Sequence, residues 1–384
     1  GSTPTAVKVG ENDHLVIYQD SAQNAASPLG GSYVTLMLEH FEKYGKPVID
    51  TYFGGSPDTN GDGQIALLVT PVVDEEEGIA FVWTGDMYSR SLCAASNEME
   101  LMRFSLSFIQ GIGTGNYQAI TTVVHEAQHI SAHYQRIQSG QSLQPLWIGE
   151  GTAEIAAEVS GRLAWEAAGG PAVGERIEGS DITGITQENY RALLSMFRTA
   201  RYLSSQPNGL TITPQGASST AMEYGSGWHF HRWLGDAYGN ASTPLADAAV
   251  FLAQNNAAAP TGPQGILNIT GKSSFAELMG EYASAIMLNG TGAPQGALGF
   301  TTYDFVSLNQ SFNYNQKPQG DYPWPVNTFG TGASTPFSTV SYSGSLGPGG
   351  LRVYDFTSTG TGLGIEVHGS GSRGPLQISV VRIQ

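Results

Sequence analysis

The spacing of apolar residues changes character along the chain. Residues 14–19 (His-Leu-Val-Ile-Tyr-Gln) are short, apolar and β-branched, which predicts a strand. Between 28 and 44, Tyr33, Leu36, Met37 and Phe41 recur at helical spacing, and Gly45-Lys46-Pro47 is expected to stop that helix. Strand character returns at 65–72, 80–83 and 98–104. Polar and apolar residues alternate from Glu98 to Leu101. That pattern predicts an edge strand beside the next helix, open to an extended peptide by strand pairing.

The helical period then dominates. The Gly-rich residues 111–115 precede a helix expected over about 117–138, which Ser139-Gly140 ends. A second runs from about 148 to 168, where Gly169-Gly170-Pro171 stops it. A third covers 186–204, with Tyr190, Leu193, Leu194 and Phe197 as its inward stripe, and a fourth spans 221–238. Thr243-Pro244 reads as an N-cap and a first-turn proline opening a fifth. Ser274-x-x-Glu277 is a capping box for a sixth, which stops at Asn289-Gly290.

Beyond Gly290 the helical period is lost and Gly, Thr, Ser and Tyr dominate. Short strands are expected at 340–342, 351–356, 364–368 and 376–383. The expected fold is α+β. A mixed sheet with an active-site helix and a helical subdomain occupies residues 1–300, and a small β-sandwich occupies 301–384.

Composition narrows the class. Of 384 residues 40% are hydrophobic, enough for a sizeable core, and only 13% are charged. The 33 acids and 17 bases leave a net charge of -16, which argues against nucleic-acid binding and against attraction to anionic membranes. No apolar run is long enough for a membrane span. Cys93 is the single cysteine, so no intrachain disulfide forms; it reads as a small buried hydrophobe. The low lysine content and abundant Gly, Ser and Thr fit a secreted bacterial enzyme. Gly1-Ser2 reads as a cloning remnant, and the signal peptide of an extracellular protein is expected to lie outside this sequence. A monomer is expected.

The strongest chemical signal is His125-Glu126-Ala127-Gln128-His129, an H-E-x-x-H. On a helix, residues four apart share a face, so the two imidazoles aim at one point and can ligate zinc. Glu126 can hold or deprotonate a water there. A third ligand is needed. The metzincin positions for glycine and a third histidine hold Ala132 and Gln135, so that class is excluded. His133 lies one further turn along, in a row that a tetrahedral ion does not accept, and reads as a supporting residue. Glu150, in Trp147-Ile148-Gly149-Glu150-Gly151-Thr152-Ala153-Glu154, can return on the next helix as the third ligand and leave a position open for water. Glu154 shares its face and can accept the other ring N–H of a ligand histidine, His125 being the expected one.

A second candidate site is Asp58-Thr59-Asn60-Gly61-Asp62-Gly63. Its oxygen side chains at Asp58, Asn60 and Asp62 and the glycine in sixth place match the first half of a Ca2+ loop. The twelfth position is Val69, which cannot ligate. A cation would therefore need Asp74, Glu75, Glu76 or Glu77 to fold back. The competing reading is an Asx-rich turn leading into a strand.

H-E-A-Q-H followed by W-I-G-E-G-T-A-E resembles the gluzincin metallopeptidases, and among them the hyicolysin family. Softer likeness extends to residues 58–63, to Trp83-Thr84-Gly85-Asp86-Met87-Tyr88 and to Tyr224-Gly225-Ser226-Gly227-Trp228. The resemblance implies a thermolysin-like core, zinc held by His125, His129 and Glu150, Glu126 as catalytic base, and a peptide or protein substrate. It also implies an oxyanion donor from a helix beyond the third ligand. Tyr224 leads for that role, with His231 and His229 as rivals. The expected activity is that of an endopeptidase. An aminopeptidase on the same core would need an acidic anchor, and Ala221-Met222-Glu223-Tyr224 does not match the G-x-M-E-N type. A binding or adhesion module with a structural metal would lack the base, and Glu126 is present.

Overall fold

The computed structural model describes residues 5–75, 78–111, 118–204, 217–239, 245–256, 258–289, 299–311, 330–334, 354–358 and 378. The chain opens with an antiparallel pair, β1 (Ala6–Glu11) and β2 (Leu15–Asp20). The Asp20 carboxylate caps α1 (Ser21–Ala26) by accepting from the N–H groups of Ala22 and Gln23. Next come α2 (Gly31–His40), α3 (Lys46–Phe53), β3 (Ile65–Val69), α4 (Pro71–Glu75), β4 (Ala80–Val82), β5 (Leu101–Phe104) and α5 (Leu106–Gly111). The later part is helical: α6 (Gln118–Gln138), α7 (Leu146–Ala167), α8 (Gln187–Ser204), α9 (Ala217–Tyr238), α10 (Ala248–Asn255), α11 (Pro263–Thr270), α12 (Phe275–Leu288) and α13 (Phe305–Ser311). β6 (Gly330–Ser334) and β7 (Tyr354–Ser358) pair in parallel as a separate sheet.

The main sheet has the order β1-β2-β3-β5-β4, parallel at β2–β3 and β3–β5 and antiparallel at both ends. The architecture is therefore α+β with a mixed sheet. The period of two sorts its faces. Leu15, Ile17, Ile65, Leu67, Val69, Met102 and Phe104 join the main core with α2, α3 and α6. Val16, Ala66 and Leu101 form a small cluster on the opposite face.

Several sequence expectations need correction. The segment 98–104 does not lie at an edge. Strand structure starts only at Leu101, and β5 pairs on both sides, with β3 and β4. The alternation that suggested an edge precedes the strand, where Glu98 adopts a left-handed φ of 55°. The edge on this side is β4. Gly45-Lys46-Pro47 does not stop a helix either. A π-helical turn at Phe41–Gly45 carries α2 into α3, with the Lys46 N–H reaching the Phe41 carbonyl. Pro47 falls in the first turn of α3, where its missing donor is tolerated. A Cβ on Gly45 would lie 2.8 Å from Val124, so the glycine lets α6 approach. Cys93 is only half-buried.

The longer helices follow the periodicity closely. Ser274 accepts from the Glu277 N–H at 3.2 Å, while the Glu277 carboxylate turns to Ser273, so half of the capping box forms. Thr243-Pro244 lies outside the described residues, and α10 begins later than expected, at Ala248. β1, α1, α4, α5, α11, α13 and β6 had no sequence signal strong enough to mark them. Of the expected C-terminal strands, 351–356 overlaps β7. Those at 340–342 and 364–368, and all of 376–383 except Ile378, lie outside the described residues. Phe300, Tyr303, Phe305 and Leu308 belong to the main core. Among the described residues no helix is long and apolar enough to cross a membrane.

Three histidines are built into this core. His40 Nε2 lies 3.2 Å from the Ser160 hydroxyl, and its Nδ1 is 3.3 Å from Arg191 Nη1. Burial, aided by the Arg191 charge, holds the His40 pKa well below its usual value. Burial lowers His229 to about 3 and His231 to about 4. All three are therefore neutral in the folded protein at pH 5, while in the unfolded chain they take up protons below about 6.5. The unfolded state then binds more protons, so stability falls as pH drops from about 6.5 towards the folded values. Each histidine contributes a slope of up to about 1.4 kcal/mol per pH unit. Urea unfolding midpoints measured from pH 7.5 to 4.5 are expected to fall steadily below pH 6.5; a flat profile would contradict this account.

Candidate metal centre

The centre is built where α6 packs against α7. One apolar face of α6, with Ile120, Val123, Val124, Ala127 and Ile130 buried, docks the helix onto the core. That leaves His125 and His129 on a common face. α7 brings Glu150 opposite them. His125 Nε2 lies 3.1 Å from Glu150 Oε2 and 3.2 Å from His129 Nε2, and His129 Nε2 lies 3.6 Å from the same carboxylate oxygen. The three donors fall within 4.8 Å of one another.

The position of Glu150 rests on how closely α7, α8 and α9 pack. A Cβ on Gly151 would meet the backbone carbon of Gly227 at 2.8 Å, and a Cβ on Gly227 would lie 2.9 Å from the Gly151 Cα. These helices touch backbone to backbone, one residue after Glu150. Gly161 plays the same part against Arg191 on α8, where a Cβ would lie 2.6 Å from the backbone.

Glu154 sits one turn beyond Glu150. Its Oε1 is 3.3 Å from His125 Nδ1, so the two nitrogens of that ring face two carboxylates. Burial alone would raise the Glu154 pKa, but Arg198, His125 and Ser195 hold it down to about 2. Burial would likewise lower His125, yet hydrogen bonds and charges from Glu150 and Glu154 raise it to about 10. The charges and hydrogen bonds of His129 and His125 outweigh burial for Glu150, whose pKa falls below the usual carboxylate range.

Glu126 is buried on the histidine helix, and its Oε2 has no hydrogen-bond partner within the described residues. Burial raises its pKa, opposed by His129 and His125 and assisted by Glu150. A base beside two imidazoles with its proton affinity raised suits proton transfer near neutral pH. His133 stacks on His129 with ring centroids 5.5 Å apart, outside the donor cluster. Burial, with the charge of His129, lowers it to about 3.

α9 brings Tyr224 to the other side. Its ring meets the His125 ring edge-on at 5.8 Å, and the Arg198 guanidinium lies over it at 4.9 Å. Burial and the charges of Glu150, Glu154 and Glu126 raise the Tyr224 pKa, against the pull of Arg198, so the phenol keeps its proton. The rival donors have other partners. His231 Nδ1 donates to the Gly227 carbonyl at 2.7 Å and its Nε2 accepts from Gln254 at 3.1 Å, which uses both ring nitrogens. His229 Nδ1 bonds the Tyr282 hydroxyl at 2.5 Å, among Phe300 and Phe305.

Sequence reasoning missed Arg198 and Ser195, whose side chains both bond the Glu154 carboxylate. A signal existed. Arg198 falls four residues after Leu194 and three after Ser195, on the face of α8 that its apolar stripe marks as inward. The structure also places Asp58, Asn60 and Asp62 together in one exposed loop. No protein-family model and no curated protein matches this chain.

Two experiments follow from this geometry. A metal ion held by this group, tested with zinc, is expected to be lost in Glu150→Ala. Glu154→Ala is expected to keep it with affinity lowered about 10- to 100-fold, as for other residues that orient a ligand histidine. Competition with a chromophoric chelator measures both; unchanged affinity in Glu150→Ala would remove it from the ligand set. The helix crossing is tested by a pair of alanines. Gly227→Ala is expected to cost about 1–3 kcal/mol in urea unfolding, because the new methyl has no room. Gly149→Ala, whose Cβ would meet nothing within 4 Å, is expected to be neutral or to stabilise by up to about 1 kcal/mol.

Proposed function

We propose that the chain is a secreted zinc endopeptidase of the gluzincin class, with the thermolysin-like core which that class implies. The observation that carries this reading is the convergence of His125, His129 and Glu150 from two helices, with the unpartnered Glu126 carboxylate beside them. The donor set suits the ion. Two imidazole nitrogens and one carboxylate oxygen form the usual set for catalytic zinc and leave a coordination position free. The Glu154 carboxylate at the far nitrogen of His125 supplies the outer support such ligands have.

When bound, zinc supplies Lewis acidity to a carbonyl oxygen and to water. The protein supplies the rest. Glu126 takes a proton from the attacking water and delivers it to the leaving amine, a task its raised pKa favours. The Tyr224 hydroxyl donates to the oxygen on which negative charge develops. Arg198 keeps Glu154 ionised and lies against the Tyr224 ring, so one residue fixes both the ligand side and the donor side. An extended peptide has the β4 edge available for pairing, and β4 packs against α6.

The second reading is an aminopeptidase or another zinc hydrolase on the same framework. A non-catalytic binding module that keeps the metal for structure fits less well with a buried, unpartnered base. Casein and N-terminally blocked peptides separate the three. Cleavage of blocked peptides supports the endopeptidase, cleavage of free N-termini alone supports the aminopeptidase, and no hydrolysis supports the binding module. Glu126→Gln is expected to lower turnover by roughly 10²- to 10⁴-fold or more with zinc content unchanged. Tyr224→Phe is expected to lower kcat by roughly 10²-fold with little change in KM. Normal proteolysis by Glu126→Gln would overturn the mechanism.

A further inference from the structure

We propose that Glu100 and the loop from Asp58 to Asp62 form a binding site for a hard divalent cation of the calcium type. Of the expected closing ligands from 74–77, Asp74 is otherwise engaged, and Glu75 has no described side chain. The Asp74 carboxylate is taken by the hydroxyls of Ser105 and Ser107, and Glu76 and Glu77 lie outside the described residues. Val69, in the twelfth place of the loop pattern, is buried in β3. The carboxylate that meets the loop comes instead from the residue before β5.

Glu100 is only 1% exposed. Its Oε1 accepts the Thr59 N–H at 2.6 Å and the Thr59 hydroxyl, which holds the carboxylate against the middle of the loop. Its Oε2 is buried and has no hydrogen-bond partner. Among the described residues no basic side chain pairs with Glu100, Asp58 or Asp62. A buried carboxylate oxygen with neither donor nor cation is costly, and a cation removes that cost.

The two halves of the site differ in rigidity. Glu100 is fixed, because its carbonyl accepts the Ala66 N–H at 2.8 Å and the residues before it are tied to Asp86 through Asn97 and Met99. The loop is exposed and turns through Gly61 and Gly63 at φ of 78° and 75°. Asp58, Asp62 and Glu100 are not gathered within 4.8 Å of one another as the histidine centre is, so the loop closes onto Glu100 as the cation binds. Oxygen-only donors from a pliable loop favour calcium over zinc, and over magnesium, which demands a rigid octahedron. The bound ion would tie the α3–β3 connection to the start of β5, the neighbouring parallel strand.

The test uses zinc-loaded protein stripped of calcium and titrated with CaCl2, or with MgCl2 alone, by calorimetry and thermal unfolding. Calcium is expected to bind with Kd between about 10⁻⁵ and 10⁻³ M and to raise Tm by several degrees, and magnesium to bind at least about tenfold more weakly. Glu100→Gln and Asp62→Asn are each expected to weaken calcium binding at least about tenfold, with zinc content unchanged. No heat and no Tm shift up to about 10 mM calcium would overturn the proposal, as would either variant binding like the parent. If Glu100→Gln does not fold, Asp62→Asn and Asp58→Asn in the exposed loop decide. Because the readouts are binding and Tm, the outcome is independent of whether the histidine centre is catalytic.

Discussion

The near contact of two helix backbones at Gly151 and Gly227 is the constraint on which the candidate centre rests. Helices separated by ordinary side chains lie 8–10 Å apart. Here neither residue has room for a Cβ. Gly151 follows Glu150 directly, and Gly227 lies three residues after Tyr224, so the crossing sets both the carboxylate and the phenol against His125. The third helix is locked on as tightly, through Gly161 against Arg191 and Gly225 against Arg198. Arg198 can therefore reach Glu154 and Tyr224 together. A few tenths of an ångström at one crossing would be felt at all three functional groups.

α7 also carries a column of acids at four-residue spacing, and each member has a different task. Glu150 faces the two imidazoles. Glu154 holds the back of His125 and is itself held by Ser195 and Arg198. Glu158 is wholly in the core, where it accepts from Trp228 at 3.0 Å and from the Tyr303 hydroxyl at 2.8 Å and lies 3.5 Å from Arg232. Arg232 in turn meets Asp236 and Asp247, and Asp247 accepts from the Tyr52 hydroxyl. Buried charges of this kind are tolerated only when every one is partnered. The column thus grades from a group that could hold a metal at one end to a saturated polar network at the other.

Much of this was legible in the sequence because the relevant signals are local. Two histidines four apart on an amphipathic helix, and two glutamates four apart on the next, define faces without knowledge of the fold. The strands of β2, β3 and β4 and the long helices were marked by their apolar period. What was not legible depends on partners distant in the chain. Nothing near Gly45 announces that Val124 will press on it, so the helix through Pro47 read as a stop. The alternation at 98–101 suggested an edge because a sequence does not reveal that β4 will add outside β5. His231 looked available at two turns from Tyr224, and only the packed structure reveals that Gly227 and Gln254 occupy its ring nitrogens.

The acid column carries a further consequence for assembly. Glu150 meets His125 across 25 residues of chain, Glu154 meets Arg198 across 44, and Glu158 meets Trp228 across 70 and Tyr303 across 145. Loop-closure entropy grows with such separations, so the shorter links are favoured to form early and the longer ones late. A chain part-way through folding can bring α7 alongside α6 while α9 has yet to dock, and the Gly151–Gly227 crossing then sets Glu150 and Tyr224 in one late step. On the reading proposed above, the donor set and the phenol would be completed together, so a nascent molecule would gain its activity only once its helices are packed.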